Sequence, residues 1–249
     1  MQSIDLNADM GESFGAWQMG RDAELMDLVS SINVACGFHA GDATVLRHTV
    51  ETAIGKGVKI GAHPSFPDLQ GFGRREMKMS PGEIFDIVLF QVATVKGICE
   101  AFGAKLNHVK PHGALYNQAA KDRVIARAIA EAVKKIDGNL VLYGLSGSFL
   151  IVEAESAGLR TASEVFADRT YQTDGNLTPR VRPDALIADA ERAVEQVIGM
   201  IKKSIVTSVD GVAIPICAET VCIHGDSPHA VEFATKIRNA LLANGIAVG

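Results

Sequence analysis

The sequence predicts an α/β fold in which seven parallel strands close into a TIM-like β/α barrel, forming one domain over residues 1–249. Three observations lead there. Short β-rich runs alternate with longer runs of helical period, the pattern of βα units around a parallel sheet. Nearly every strand runs directly into a cluster of polar, chemically capable side chains. A chain of 249 residues, 47% of them hydrophobic, can also bury one large core.

In chain order the expected strands are 3–7, 31–36, 58–63, 106–110, 140–143, 161–166 and 221–224. The helices between them are marked by apolar residues at three- and four-residue intervals. Ile84, Ile87, Val88, Val92, Val95, Cys99 and Phe102 form one such face. Ser80-Pro81-Gly82-Glu83 opens that helix as a capping box with proline in the first turn. Ile125, Ile129, Val133 and Ile136 mark a second helix, and Ile187, Ala190, Val194, Val197 and Ile201 a third; Ser227-Pro228 starts the last. From Ile205 to Ile216 the pattern becomes near-alternating around Asp210-Gly211, a dipeptide suited to a tight type I′ turn, so a small β-hairpin decorates the barrel.

Composition excludes several classes of function. A net charge of -5 supplies no basic field for nucleic acid or an anionic membrane. No run approaches the roughly 20 apolar residues of a membrane span, and Met1-Gln2-Ser3-Ile4-Asp5-Leu6 lacks the basic-then-apolar order of a secretory signal. Cys36, Cys99, Cys217 and Cys222 are scattered in apolar stretches without a CxxC pair, as reduced cytosolic thiols are. The expectation is a soluble cytoplasmic protein acting on a small molecule.

The polar clusters carry the chemistry. Asn7, Asp9 and Glu12 follow the first strand, and Cys36, His39 and Asp42 the second. His63 and Asp68, then Arg74 and Arg75, follow the third; Lys110, His112, Tyr116 and Asn117 follow the fourth. Glu164, Asp168 and Arg169 end the sixth, His224 and Asp226 the seventh. In a parallel barrel all these points meet at the C-terminal rim, where active sites of such folds are built. Residues two apart on a strand share a face, which pairs Asp5 with Asn7, Gly61 with His63, Lys110 with His112, and Cys222 with His224.

Each cluster also has a plainer role to weigh. A histidine at a strand end is more often a hydrogen-bonded core residue than a catalyst, but four of seven, His39, His63, His112 and His224, fall at strand exits. Lys110 sits among apolar residues, where it must pair with a carboxylate such as Glu164 or face a ligand. Arg74 and Arg75 suit a carboxylate or phosphate, or an ion pair with Asp68 or Glu76. Cys36 is a nucleophile candidate beside His39 but reads more readily as a buried inert thiol, and Phe14, Trp17 and Phe38 as packing residues at the rim. Several histidines near carboxylates raise a divalent metal, Zn²⁺ or Mn²⁺, although no HExxH or CxxC spacing identifies its ligands. Neither a G-x-x-x-x-G-K-[ST] loop nor a GxSxG elbow occurs, so any ATP is held outside a standard P-loop.

Six blocks in order, Asp5-Leu6-Asn7-Ala8-Asp9-Met10-Gly11-Glu12, Ala35-Cys36-Gly37-Phe38-His39-Ala40-Gly41-Asp42, Gly61-Ala62-His63-Pro64-Ser65, Val109-Lys110-Pro111-His112-Gly113, Glu164-Val165-Phe166-Ala167-Asp168-Arg169 and His224-Gly225-Asp226, closely resemble the LamB/YcsF family. The resemblance implies a barrel of the glycoside hydrolase/deacetylase type. It also implies ATP-coupled opening of the lactam ring of 5-oxoproline to L-glutamate, in company with B and C subunits. On that reading His39, His63, Lys110, His112 and Glu164 are the candidate catalytic groups. Asn7, Asp9, Glu12, Arg74, Tyr116, Asp168, Arg169, His224 and Asp226 are the candidate substrate contacts. Two other readings compete: a metal-dependent amide or N-acetyl hydrolase acting without ATP, and a non-catalytic substrate-binding or scaffold subunit.

Overall fold

The structure, a computed structural model, describes residues 2–223 and 230–249. Six strands follow one another around the barrel: β1 (Gln2–Met10), β2 (Ser31–Ala35), β3 (Lys59–His63), β4 (Leu106–Val109), β5 (Val141–Leu145) and β6 (Arg160–Phe166). A two-stranded antiparallel hairpin, β7 (Ile205–Thr207) with β8 (Ala213–Pro215), precedes the seventh barrel strand, β9 (Thr220–Ile223). Because β9 pairs in parallel with both β6 and β1, the sheet is a closed ring. The helices are α1 (Asp22–Leu25), α2 (Ala43–Lys56), α3 (Pro81–Ala101), α4 (Gly113–Lys121), α5 (Arg123–Ile136), α6 (Phe149–Ser156), α7 (Ala190–Lys203) and α8 (Ala230–Ala243). No helix among the described residues is long and apolar enough to cross a membrane.

Local chemistry sets the helix starts. Ser80 Oγ accepts from Glu83 N at 3.3 Å while Glu83 Oε2 accepts from Ser80 N at 2.7 Å, the capping box expected for α3. Asp42 caps α2 by accepting from Thr44 N and Val45 N at 2.9 and 3.0 Å. The apolar faces so oriented, for example Ile84, Val88, Val92, Val95 and Cys99 of α3 with Ile129 and Val133 of α5, join one buried cluster with the outward-facing strand residues Leu6, Ala8 and Met10.

The inside of the ring is built differently. Barrels of this type usually fill their interior with layers of branched apolar side chains, whereas here the inward residues of β1 are polar. Asp5 accepts from Ser30, Ser31 and Thr220 hydroxyls at 2.8, 2.8 and 2.6 Å. One layer up, Asn7 donates to Glu164 at 3.0 Å and Thr220 at 2.7 Å, and accepts from Asn33 at 2.8 Å. His108 on β4 holds Asn33 Oδ1 at 2.8 Å and stacks on Tyr143, ring centroids 4.1 Å apart. A hydrogen-bonded column thus rises from the foot of the barrel toward its C-terminal rim, its buried polar side chains linked across strands.

Several expectations need correction. The hairpin is present, but its connection runs over five residues, 208–212, rather than two. Ser208 N donates to Val212 O at 2.9 Å, and Val209 N is drawn to Tyr171 O at 2.9 Å, which opens the turn. Trp17 does not pack at the rim; it is 78% exposed and pairs with Phe14 only through backbone hydrogen bonds. A strand missed in the sequence, β10 (Ile246–Val248), lies parallel to the first residues of β1. The proposed start of α8 at Ser227-Pro228 lies outside the described residues, as do His224 and Asp226.

Candidate functional site

Above the polar column a cavity of about 510 Å³ opens at the C-terminal rim. Asp9, Glu12, His63, Lys110, His112, Tyr116 and Arg169 line it, delivered by the C-terminal ends of β1, β3, β4 and β6 and by the first turn of α4. Lys110 follows β4 directly, and its N–H continues the ladder by donating to Ala62 O at 3.0 Å. Its ammonium lies 2.9 Å from Asp9 and 2.9 Å from Glu164, and donates to Cys222 Sγ at 3.0 Å. Burial opposes the charge, yet Asp9, Cys222 and Glu164 outweigh it and hold the ammonium well above the ordinary lysine range. Lys110 is therefore a fixed cation at the cavity floor.

Three histidines form the adjoining wall. His63 ends β3, and its Nδ1 faces Lys110 O at 2.7 Å; its Nε2 lies 3.3 Å from Asp9 and 2.9 Å from His112 Nδ1. His112 occupies the position before α4, with its Nε2 2.9 Å from Phe72 O. His39 stacks on His112, ring centroids 3.8 Å apart, and its Nε2 stands 3.5 Å from Glu12 Oε1. Burial first, then neighbouring His63, pushes the His39 pKa well below 6.5; burial with His39 and His63 does the same to His112. Both rings are neutral at physiological pH.

The wall depends on an unusual backbone. Phe72, a bulky residue, sits at φ 55°, a left-handed conformation costing on the order of 1–3 kcal/mol. That strain turns its carbonyl toward His112. Gly73 follows at φ 64°, and a side chain there would run into Ser65, His39 and His112, so only glycine fits beneath the stacked rings.

The remaining expected residues are placed as follows. Asn7 and Glu164 lie beneath the cavity rather than on it; the amide of Asn7 spends its hydrogen bonds on Glu164, Thr220 and Asn33, so both act on the floor through Lys110. Tyr116 lines the cavity, and burial together with Glu164 raises its pKa well above 10. Arg74 lines it too, its guanidinium 4.8 Å over the Phe72 ring. Arg75 instead pairs with Asp68 and points away. Arg169 lines the cavity but donates to the backbone carbonyls of Ala185 and Thr178 at 3.3 and 2.5 Å, tying down the loop between β6 and α7. Burial, then Arg180, lowers its pKa to about 10. Asp168 is half-buried and off the cavity, and its carbonyl accepts from Ile187 N at 2.9 Å. Cys36 is a buried thiol pushed up to about 12 by burial, in keeping with an inert role.

Sequence reasoning missed Asn33, which donates to Asp9 at 2.9 Å and so orients a floor carboxylate. Its signal was present: Ser31 and Asn33 alternate with Ile32 and Val34. It also missed Thr178 and Arg180 on the cavity wall, which come from a loop without periodicity.

Comparison with known proteins follows the same lines. The sequence model of the LamB/YcsF family matches residues 4–249. The A subunit of 5-oxoprolinase from Tolumonas auensis is 57% identical over 248 residues, covering 100% of this chain and 99% of the relative. Its counterpart from Bacillus subtilis is 55% identical over 248 residues, covering 100% and 96%. Among solved structures, a lactam utilization protein of Thermus thermophilus superposes with a TM-score of 0.93 at 46% identity, covering 99% of each chain.

Proposed function

Since the chain belongs to the LamB/YcsF family, we propose that it is the A subunit of a 5-oxoprolinase, opening 5-oxoproline to L-glutamate with ATP and with B and C partner subunits. The observation that carries this reading is full-length identity above one half to relatives named as the A component of 5-oxoprolinase. The cavity supports it, because it joins a fixed cation, neutral histidines and carboxylates around a space suited to a small acid. Four free cysteines suit a cytoplasmic setting.

A lactam is a resonance-stabilised amide that water attacks slowly. Transfer of the terminal phosphoryl group of ATP to the lactam oxygen makes the ring carbon a better electrophile. Water then adds to that carbon, the ring C–N bond breaks as the departing nitrogen takes a proton, and the acyl phosphate left on the opened chain is hydrolysed by a second water to L-glutamate and phosphate. With no P-loop in this chain, a partner subunit is the natural holder of ATP. Here His112 or Glu12 takes the proton from water, a role typically worth about 10²–10⁴-fold in rate. Lys110 stabilises the negative charge that develops on oxygen. Arg74 clamps the substrate carboxylate; Arg169, whose donors already hold a loop, shapes the wall.

Copurification of this chain with candidate B and C subunits tests the reading through 5-oxoproline-dependent ATP hydrolysis. We expect turnover only when this chain is present; equal turnover without it removes the proposal. The Glu12, His39, His63 and His112 cluster favours a second reading, a metal-dependent amide hydrolase. Amide hydrolysis by the isolated chain without ATP would select that one.

A further inference from the structure

We propose that Glu12, His39, His63 and His112 form a binding site for one divalent transition-metal ion, of which Zn²⁺ is the representative. As ligands, Glu12 and His112 would not serve as the general base, so another group would take that role; the test reads metal binding and not 5-oxoproline turnover, so its failure is distinguishable from failure of the 5-oxoprolinase reading.

The first argument is tautomeric. A carbonyl oxygen can only accept a hydrogen bond, so a ring nitrogen facing one carries the proton. His63 Nδ1 faces Lys110 O at 2.7 Å, and His112 Nε2 faces Phe72 O at 2.9 Å. The remaining nitrogens, His63 Nε2 and His112 Nδ1, therefore turn lone pairs toward each other at 2.9 Å. Two lone pairs at that separation repel unless a cation lies between or beside them. Backbone carbonyls that fix the far nitrogen of a ring, leaving the near one free to ligate, are the usual outer support of metal-bound histidine.

The second argument is an orphaned polar group. His39 is 1% exposed, and neither of its ring nitrogens makes a hydrogen bond. A buried imidazole without a partner costs on the order of 1–3 kcal/mol, and the cluster offers it a purpose. The third argument is spacing. Four donors about 2.0–2.2 Å from a tetrahedral ion stand roughly 3.3–3.6 Å apart. Here the pairs are 3.5 Å for His39 with Glu12, 3.8 Å for His112 with Glu12 and 2.9 Å for His63 with His112, all four donors lying within 4.8 Å of one another. Only small side-chain rotations separate this cluster from a coordination sphere.

The donor set selects the ion. Three imidazoles and one carboxylate suit zinc and its neighbours rather than Mg²⁺ or Ca²⁺, which take oxygen ligands. Glu12, His63 and His112 line the cavity while His39 lies behind them, which places the site in the cavity wall.

The test uses the full chain in a Cys217→Ser background, which removes the exposed thiol as a competing ligand. After chelator treatment and dialysis, Zn²⁺ titration by calorimetry should show one ion per chain, with a rise in Tm. His39→Gln and Glu12→Gln should each weaken binding at least tenfold while leaving the far-ultraviolet circular dichroism unchanged. Cobalt-substituted protein should show visible d–d bands that His39→Gln abolishes, a readout independent of stability. The proposal is overturned by any one of three results: no saturable binding of Zn²⁺ to the chelator-treated chain, unchanged affinity in both variants, or cobalt bands that persist without His39. The first would leave a shared proton as the cation between His63 and His112.

Discussion

The Lys110 ammonium and the Glu164 carboxylate stand 2.9 Å apart with both side chains out of reach of solvent. Lys110→Met leaves Glu164 and Asp9 as buried carboxylates without their cation, which costs about 3–5 kcal/mol for a broken buried pair. Adding Glu164→Gln returns part of that loss, since it removes one of the two stranded charges. Chemical denaturation of wild type, both single variants and the double gives the coupling energy. A Lys110→Met chain as stable as wild type would show that the pair carries no weight.

His108 makes acid stability a matter of sign. Burial holds its pKa down to about 3, so the folded chain keeps the ring neutral while the unfolded chain binds a proton near 6.5. Below that value the unfolded state holds more protons, and stability falls as pH falls, by at most about 1.4 kcal/mol per pH unit from this group. The loss ends near pH 3, where the folded form also takes the proton. Replacing His108 by Gln should flatten the stability profile across that window, as urea midpoints at a series of pH values will show. An unaltered slope would place the acid sensitivity elsewhere.

Gly61 and His108 share one space. A methyl group at Gly61 would overlap the His108 ring, which is packed between Asn33 and Tyr143 and has nowhere to go. Gly61→Ala should cost about 1–3 kcal/mol or more by overpacking. In a His108→Ala background the same change should cost almost nothing, because the obstacle is gone. Thermal unfolding of the four chains distinguishes this from a general penalty on β3.

The parts of the molecule that could be read from the sequence are those governed by short-range rules. The α3 capping box, the apolar stripe of Ile84, Val88, Val92 and Val95, and the strand exits at His63 and Lys110 each follow from spacing along the chain. The gathering of His39, His63 and His112 at one rim followed from strand direction alone. What could not be read depends on which polar partner is nearest across the barrel. Asn7 sits below the cavity because Thr220 and Asn33, far away in sequence, hold its amide there, and Glu164 because Asn7 and Lys110 hold its carboxylate. The role of Phe72 depends on a single positive φ, which nothing in a Phe predicts. Arg169 resembled a free clamp in sequence, and only the path of the loop through Thr178 and Ala185 shows what it holds.

β1 threads two environments at once: Asp5, Asn7 and Asp9 point one way, into water-like company, and Leu6, Ala8 and Met10 the other, into oil. Deleting or inserting one residue in this strand would exchange the two sets, sending three carboxamide and carboxylate groups against the helices and three greasy ones against Lys110. Such a frameshift of side chains has no partial form. A point change in this segment disturbs the contacts of one residue, whereas a change in its length disturbs those of all six at once.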